Sequence, residues 1–156
     1  MPFANFAPYS PTGDFDHALD ELYYLSLFFC PQTQTARDRQ ENGLETFVYL
    51  YSGNFSNVSP KPWLGAYHSS ELPMLMGTHP NYRGQSTKLE YATSGAMQDA
   101  WVAFARDGSA GLERRKWREY TKLGSKRVRE FGAVVPARDI SIAAVEAKCS
   151  GAAPAV

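Results

Sequence analysis

Trp63-Leu64-Gly65-Ala66-Tyr67-His68-Ser69-Ser70-Glu71-Leu72-Pro73-Met74-Leu75-Met76-Gly77 is the stretch on which the reading of this chain turns. It holds one imidazole in a loop, with a carboxylate three residues later. Gly65 and Gly77 bracket the pair, and the apolar residues Leu72, Met74, Leu75 and Met76 follow. Imidazole titrates near neutral pH, so His68 suits a general base, a metal ligand or a packed core residue. The residues alone leave these roles open. Glu71 as a general acid or base would need a shifted pKa and a nearby substrate. As a structural carboxylate it would sit at the start of the segment from Ser69 to Met76, where a helix N-terminus favours negative charge. The second reading is preferred. Ser69 and Ser70 are read as loop residues, because a serine beside its own base in sequence rarely has the geometry for attack.

Upstream, Glu45 to Tyr51 is short and rich in β-branched and aromatic residues, which predicts a buried strand. Ser52-Gly53-Asn54 breaks it. The loop to Trp63 contains Pro60, Pro62 and two glycosylation sequons in succession, Asn54-Phe55-Ser56 and Asn57-Val58-Ser59. Pro60 makes the second sequon less favourable, and both matter only in a secreted protein.

Downstream, Thr78 to Gln85 is a polar turn region in which His79 is expected to be solvated. Thr87-Lys88-Leu89-Glu90 reads as a capping box. Leu89, Ala92, Ala96, Met97, Ala100, Trp101 and Phe104 make one helical face, read as core, and Asp107-Gly108 stops the helix. Leu112 to Tyr120 is charged, and Arg114-Arg115-Lys116 reads as a solvated face. Arg127 to Phe131 is a candidate short strand. No internal repeat is visible.

At the start, residues 1–13 hold three prolines and read as an extended lead-in. Asp14 can cap a helix whose stripe of Phe15, Ala18, Leu19, Leu22 and Tyr23 is expected to pack in the core. Leu25 to Cys30 is nearly continuous apolar sequence and is expected to be buried. Pro31 fits the first turn of a second helix running to about Gln40, which Gly43 ends. From Ala133 a tail rich in Ala and Val begins, and Gly151 to Val156 is expected to be disordered.

The 156 residues are 44% hydrophobic and 21% charged, enough for one domain with a core. Sixteen basic residues balance sixteen acidic ones. That balance gives no pointer to nucleic acid or an anionic membrane surface. No apolar run approaches the roughly 20 residues of a membrane helix. Residues 1–5 do not read as a signal peptide. Cys30 and Cys149 form neither a disulfide framework nor a zinc-ligand pattern. Cys30, in its apolar segment, is read as a buried free thiol, although sequence alone leaves pairing open.

Gly65, His68, Glu71 and Gly77 together resemble the histidine loop of the type-B carboxylesterases, the family of cholinesterases and fungal lipases. Phe29-Cys30-Pro31 resembles a segment upstream of that loop, and Phe47-Val48-Tyr49-Leu50-Tyr51 the strand that delivers it. Met97-Gln98, Trp101 and Phe104-Ala105 resemble the helix that follows. The resemblance covers roughly Asp14 to Gly132. It implies an α/β fold, the C-terminal portion of an α/β-hydrolase, with an incomplete sheet and flanking helices. The lead-in would be 1–13, the esterase-like part 14–132 and the tail 133–156. It also implies ester hydrolysis through an acyl-serine, with His68 as catalytic base and acid, Glu71 buried beside it, and no metal or cofactor. Family members are often secreted; the chain itself leaves localisation open.

That chemistry needs a serine nucleophile, an acid to orient the histidine and backbone N–H groups for the oxyanion. In α/β-hydrolases the serine sits in Gly-x-Ser-x-Gly and the histidine comes last. No Gly-x-Ser-x-Gly is present; Gly108-Ser109-Ala110-Gly111 has the wrong spacing and follows the histidine. No Gly-Gly run offers an oxyanion hole. Asp14, Asp16, Asp20 and Glu21 lie in the predicted first helix rather than after a strand, so none is assigned as the acid. One triad member of three is therefore expected here, inactive alone. An ester substrate would be taken only with the missing N-terminal portion, and exposed strand edges would favour self-association. The alternatives are a non-catalytic interaction module of cholinesterase-like fold, or an unrelated small α/β domain with a packed histidine.

Overall fold

Alternating side chains on three strands set the architecture of this protein, seen in a computed structural model that describes residues 19, 22–59, 61, 64–120 and 127–151. β1 (Tyr49–Tyr51), β2 (Arg127–Phe131) and β3 (Ala137–Ser141) form one sheet in the order β1-β2-β3. β1 runs parallel to β2, with Tyr49 opposite Arg129 and Tyr51 opposite Phe131. β2 and β3 are antiparallel, from Arg127 opposite Ser141 to Phe131 opposite Ala137. Successive strand residues point to opposite faces. Phe47, Tyr49, Tyr51, Phe131 and Ala137 accordingly face one apolar cluster, and Val48, Leu50, Val128 and Ile140 another.

Helices cover both faces. α1 (Cys30–Glu41) continues a wider, π-type turn at Leu25–Phe29, and Phe29 and Ala36 pack into the second cluster with Tyr120 and Ile142. α2 (Leu72–Leu75) and the long α3 (Lys88–Arg114) supply Met74, Met97, Ala100 and Leu112 to the first cluster, with Trp117 and Phe55. α4 (Ala143–Glu146) and a last 3-10 turn (Ala147–Gly151) follow β3. This is a mixed α/β arrangement around a small sheet.

Several local expectations hold. Thr87 accepts from the Glu90 N–H while Glu90 accepts from the Thr87 N–H, a complete capping box. Gly43, at φ +71, takes the left-handed position just past the end of α1. Gly108, at φ +59 and ψ −143, interrupts the helical path where a stop was expected, but α3 resumes beyond this kink and runs to Arg114. Beyond the kink, Gly111 packs so closely on the Ala103 carbonyl that a Cβ would lie 2.2 Å from its oxygen.

Others are corrected. Residues 44–48 are irregular, so the strand expected from Glu45 is only Tyr49–Tyr51, and it is half-buried. Leu25–Cys30 is largely uncovered, with Leu27 52% and Phe28 55% exposed and only Phe29 deeply buried. Leu19, Leu22 and Tyr23 are exposed as well. The buried line of α3 is Glu90, Thr93, Ser94, Met97, Ala100 and Ala103; Ala92 and Phe104 are exposed. Small and hydroxylated residues let the helix approach its neighbours, which an apolar count does not detect. The stretch after Ala133 carries β3 and α4. The lead-in 1–13, the Asp14 cap, Phe15, Ala18 and residues 152–156 lie outside the described residues.

Cys30 is not a free thiol. It is disulfide-bonded to Cys149, 119 residues away in sequence. The bridge ties the start of α1 to the last helical turn. Beside it, Arg37 on α1 pairs with the fully buried Glu146 carboxylate at 3.1 Å, and the Tyr120 hydroxyl donates to the same carboxylate. Burial first, and then that hydrogen bond, push the Tyr120 hydroxyl up to about 12, so it remains a donor.

Two outcomes follow. Replacing both cysteines by alanine should lower the unfolding free energy by roughly 2–4 kcal/mol in urea titration. The exposed Leu27 and Phe28, together with a β1 that pairs only with β2 among the described residues, should make the isolated chain associate. Sedimentation velocity should show larger species as concentration rises, and Leu27→Ser/Phe28→Ser should reduce them.

Candidate active site

The chain leaves β1 through an irregular segment with a turn at 56–58, crosses to the His68 loop, and is then caught by α3. Phe55 and Val58 anchor the crossing in the core. The Tyr67 hydroxyl and Arg83 guanidinium both donate to the Val58 carbonyl, at 3.3 and 2.9 Å. Tyr67 to Ser70 is a tight turn, with the Ser70 N–H on the Tyr67 carbonyl at 3.0 Å. Ser69 holds φ +70 within it, a left-handed conformation costly for a residue with a Cβ. Gly65 and Gly77, at φ +55 and +67, adopt the same region at the loop's two ends without that cost.

This turn presents His68 to solvent. Glu71 behind it is half-buried, and its carbonyl accepts from the Met74 and Leu75 N–H groups. Its side chain makes no capping hydrogen bond to α2, so the structural-cap reading is not what the side chain does. The carboxylate charge instead bears on β1. Burial raises the pKa of the Tyr51 hydroxyl, and the Glu71 charge raises it further; Tyr49 shifts the same way for the same causes. Among the described residues no hydrogen bond joins His68 to Glu71. Ser69 and Ser70 stay loop residues; the Ser70 hydroxyl is buried and has no hydrogen-bond partner among the described residues.

α3 fixes the far side of the loop. The four-residue α2 ends with carbonyls that have no partner within the helix. The Ser94 hydroxyl donates to one of them, that of Met74, at 2.6 Å, and Gln98 Nε2 donates to Ser94 Oγ at 2.8 Å. A Cβ on Gly77 would meet Gln98 Nε2 at 2.8 Å. Gly77 thus turns the chain where Gln98 of α3 lies close against it.

His79 is a site the sequence reading missed. It is 2% exposed rather than solvated. Its Nδ1 lies 2.8 Å from Ser86 Oγ, and its ring stands edge-on to Tyr91 at 4.9 Å. Asn57 donates to the His79 carbonyl at 3.3 Å and to Ser86 Oγ at 3.2 Å. This polar knot joins the crossing segment to the start of α3. A lone histidine between turn residues carries no periodic signal that would have announced it. Among the described residues no group of three or more His, Cys, Asp or Glu side chains could hold a metal, and no helix is long and apolar enough to cross a membrane.

A sequence model described as the Carboxylesterase family matches residues 10–133. The chain is similar to the chlorogenic acid esterase of Aspergillus niger, 48% identical over 86 residues, covering 55% of this chain and 17% of that protein. It is 50% identical over 88 residues to secreted lipase 5 of Gibberella zeae, covering 56% and 16%. It is 30% identical over 92 residues to the acetylcholinesterase of Bungarus fasciatus, covering 59% and 15%. The chain thus spans only about a sixth of the length of these relatives.

Burial lowers the pKa of His79 below its ordinary 6.5, with the nearby Glu90 charge opposing the shift. The unfolded chain therefore takes up this proton first as pH falls. The stability from neutral His79 is present above pH 6.5 and is lost as pH drops through the folded-state value. The urea midpoint should fall from about pH 7.5 to about pH 5.5, and His79→Gln should flatten that slope.

Proposed function

Because this chain belongs to the carboxylesterase family, we propose that it is the histidine-bearing C-terminal portion of a serine carboxylic-ester hydrolase of α/β-hydrolase fold. His68 is the triad base and acid. It takes the proton of a serine hydroxyl as that oxygen attacks the ester carbonyl, returns it to the departing alcohol, and repeats the cycle with water on the acyl-serine. The serine, the acid and the oxyanion donors come from polypeptide outside this chain. The reaction uses no metal or cofactor. The substrate is a small carboxylic ester, bound once the rest of the enzyme is present.

The observation that carries this reading is the placement of His68. It stands exposed on a strained turn whose two ends are glycine-bent and whose trailing side α3 pins. A histidine serving only to pack would be covered. Glu71 acts as a positioning residue. It is half-buried at the start of α2, and its carboxylate disfavours ionisation of the Tyr51 and Tyr49 hydroxyls on β1.

A chimera tests this. Residues 14–132 replace the matching segment of the Aspergillus niger esterase, and aryl-ester hydrolysis is measured. The chimera should turn over, His68→Ala should lower kcat/KM by about 10³-fold or more, and Glu71→Gln by less. This chain alone should not exceed the free-imidazole background. A folded but inactive chimera would favour the non-catalytic interaction module. Saturable turnover by the isolated chain, lost in His68→Ala, would overturn the proposal that the other triad members lie outside it.

A further inference from the structure

We propose that Asn54 is an N-linked glycosylation site and that Asn57, three residues on, is not. The two sequons are adjacent, and the fold treats them in opposite ways. After β1 the chain enters a turn at 56–58, closed by the Val58 and Ser59 N–H groups on the Phe55 carbonyl; Gly53, Phe55 and Asn57 are buried, while Asn54 and Ser56 are exposed. Phe55 enters the core and thereby holds both reactive side chains of the first sequon outward. Among the described residues none hydrogen-bonds the Asn54 side chain.

The second sequon is consumed by structure. Asn57 is 5% exposed, and its amide donates to the His79 carbonyl and to Ser86 Oγ. The Ser59 hydroxyl is also buried and donates to the Lys61 carbonyl at 2.6 Å. Pro60 follows directly in sequence. A glycan on Asn57 would have to occupy the polar knot that joins the crossing segment to α3.

The compartment is indicated independently. A Cys30–Cys149 disulfide forms and persists in oxidising surroundings such as the secretory lumen, where sequons are read. The donor is a lipid-pyrophosphate-linked oligosaccharide. The Asn54 amide nitrogen forms a bond to the anomeric carbon as the sugar–phosphate bond breaks. The lipid pyrophosphate leaves with that electron pair, and the amide loses one proton to the transferase.

The full chain, placed behind a cleavable leader and directed into yeast microsomes, tests this. Lumenal chains should show one discrete mobility shift, removed by peptide-N-glycosidase. Asn54→Gln and Ser56→Ala should reduce the shifted fraction from most molecules to background, whereas Asn57→Gln should keep it. Enzymatic release in heavy-oxygen water should mark Asn54 in peptide mass spectrometry. An unshifted wild-type chain that is protease-protected inside the microsomes overturns the assignment. So does a mark at Asn57, or a shift that survives Asn54→Gln.

Discussion

The parallel pairing of β1 with β2 is the constraint from which the rest follows. Two parallel neighbours cannot be joined by a short turn, because the chain must return to the end from which it started. Everything between Tyr51 and Arg127 is that return. The His68 loop lies on its outward limb, beyond the end of β1, and α3 is the long element that brings the chain back. Pinning α2 with Ser94 therefore does two things together. It satisfies a helix end, and it registers the loop against the element that also covers the sheet. The histidine is positioned by the same packing that makes the sheet possible.

Three buried carboxylates complete the framework, two of them joining parts distant in sequence and one closing a helix end. Glu130 on β2 accepts from Ser52, just past β1, at 2.9 Å and from Arg138 on β3 at 2.5 Å, so one side chain spans all three strands. Glu146 joins α4 to α1 through Arg37 and to Tyr120. Glu90 closes the first turn of α3. Removing one partner of such a pair strands a charge in the interior, which typically costs about 3–5 kcal/mol. These contacts are worth more as specifiers of which element meets which than as sources of net stability.

Much of this was legible in the sequence where the signal is local. The Thr87–Glu90 box, the Gly43 stop and the Gly108 break depend on a few adjacent residues and their backbone demands, and the structure has all three. The strand and the histidine loop were also legible in outline. Signals that depend on distant partners were not. Thr93, Ser94 and Ala103 face inward because α3 sits close to its neighbours, which no hydropathy period reports. Leu27 and Phe28 look like core by composition, yet composition cannot say what lies over them. The pairing of Cys30 with Cys149 and the burial of His79 both depend on segments meeting across the fold. In the site, the glycine-bracketed turn was readable, whereas the lack of a capping bond from Glu71 to α2, and the effect of its charge on Tyr49 and Tyr51, required the fold to be in place.

The Cys30–Cys149 bridge has one more consequence. It closes nearly the whole described chain into a covalent ring that contains the sheet, the His68 turn and α3. A single backbone cut anywhere inside that ring, in an exposed turn such as that around Gly84 for example, would open the ring without freeing either piece. The cut molecule would gain only one water in mass and hold the histidine turn beside the strand that delivers it. Reduction would separate the pieces only after such a cut, so proteolytic damage to this protein would stay hidden until the bridge is opened.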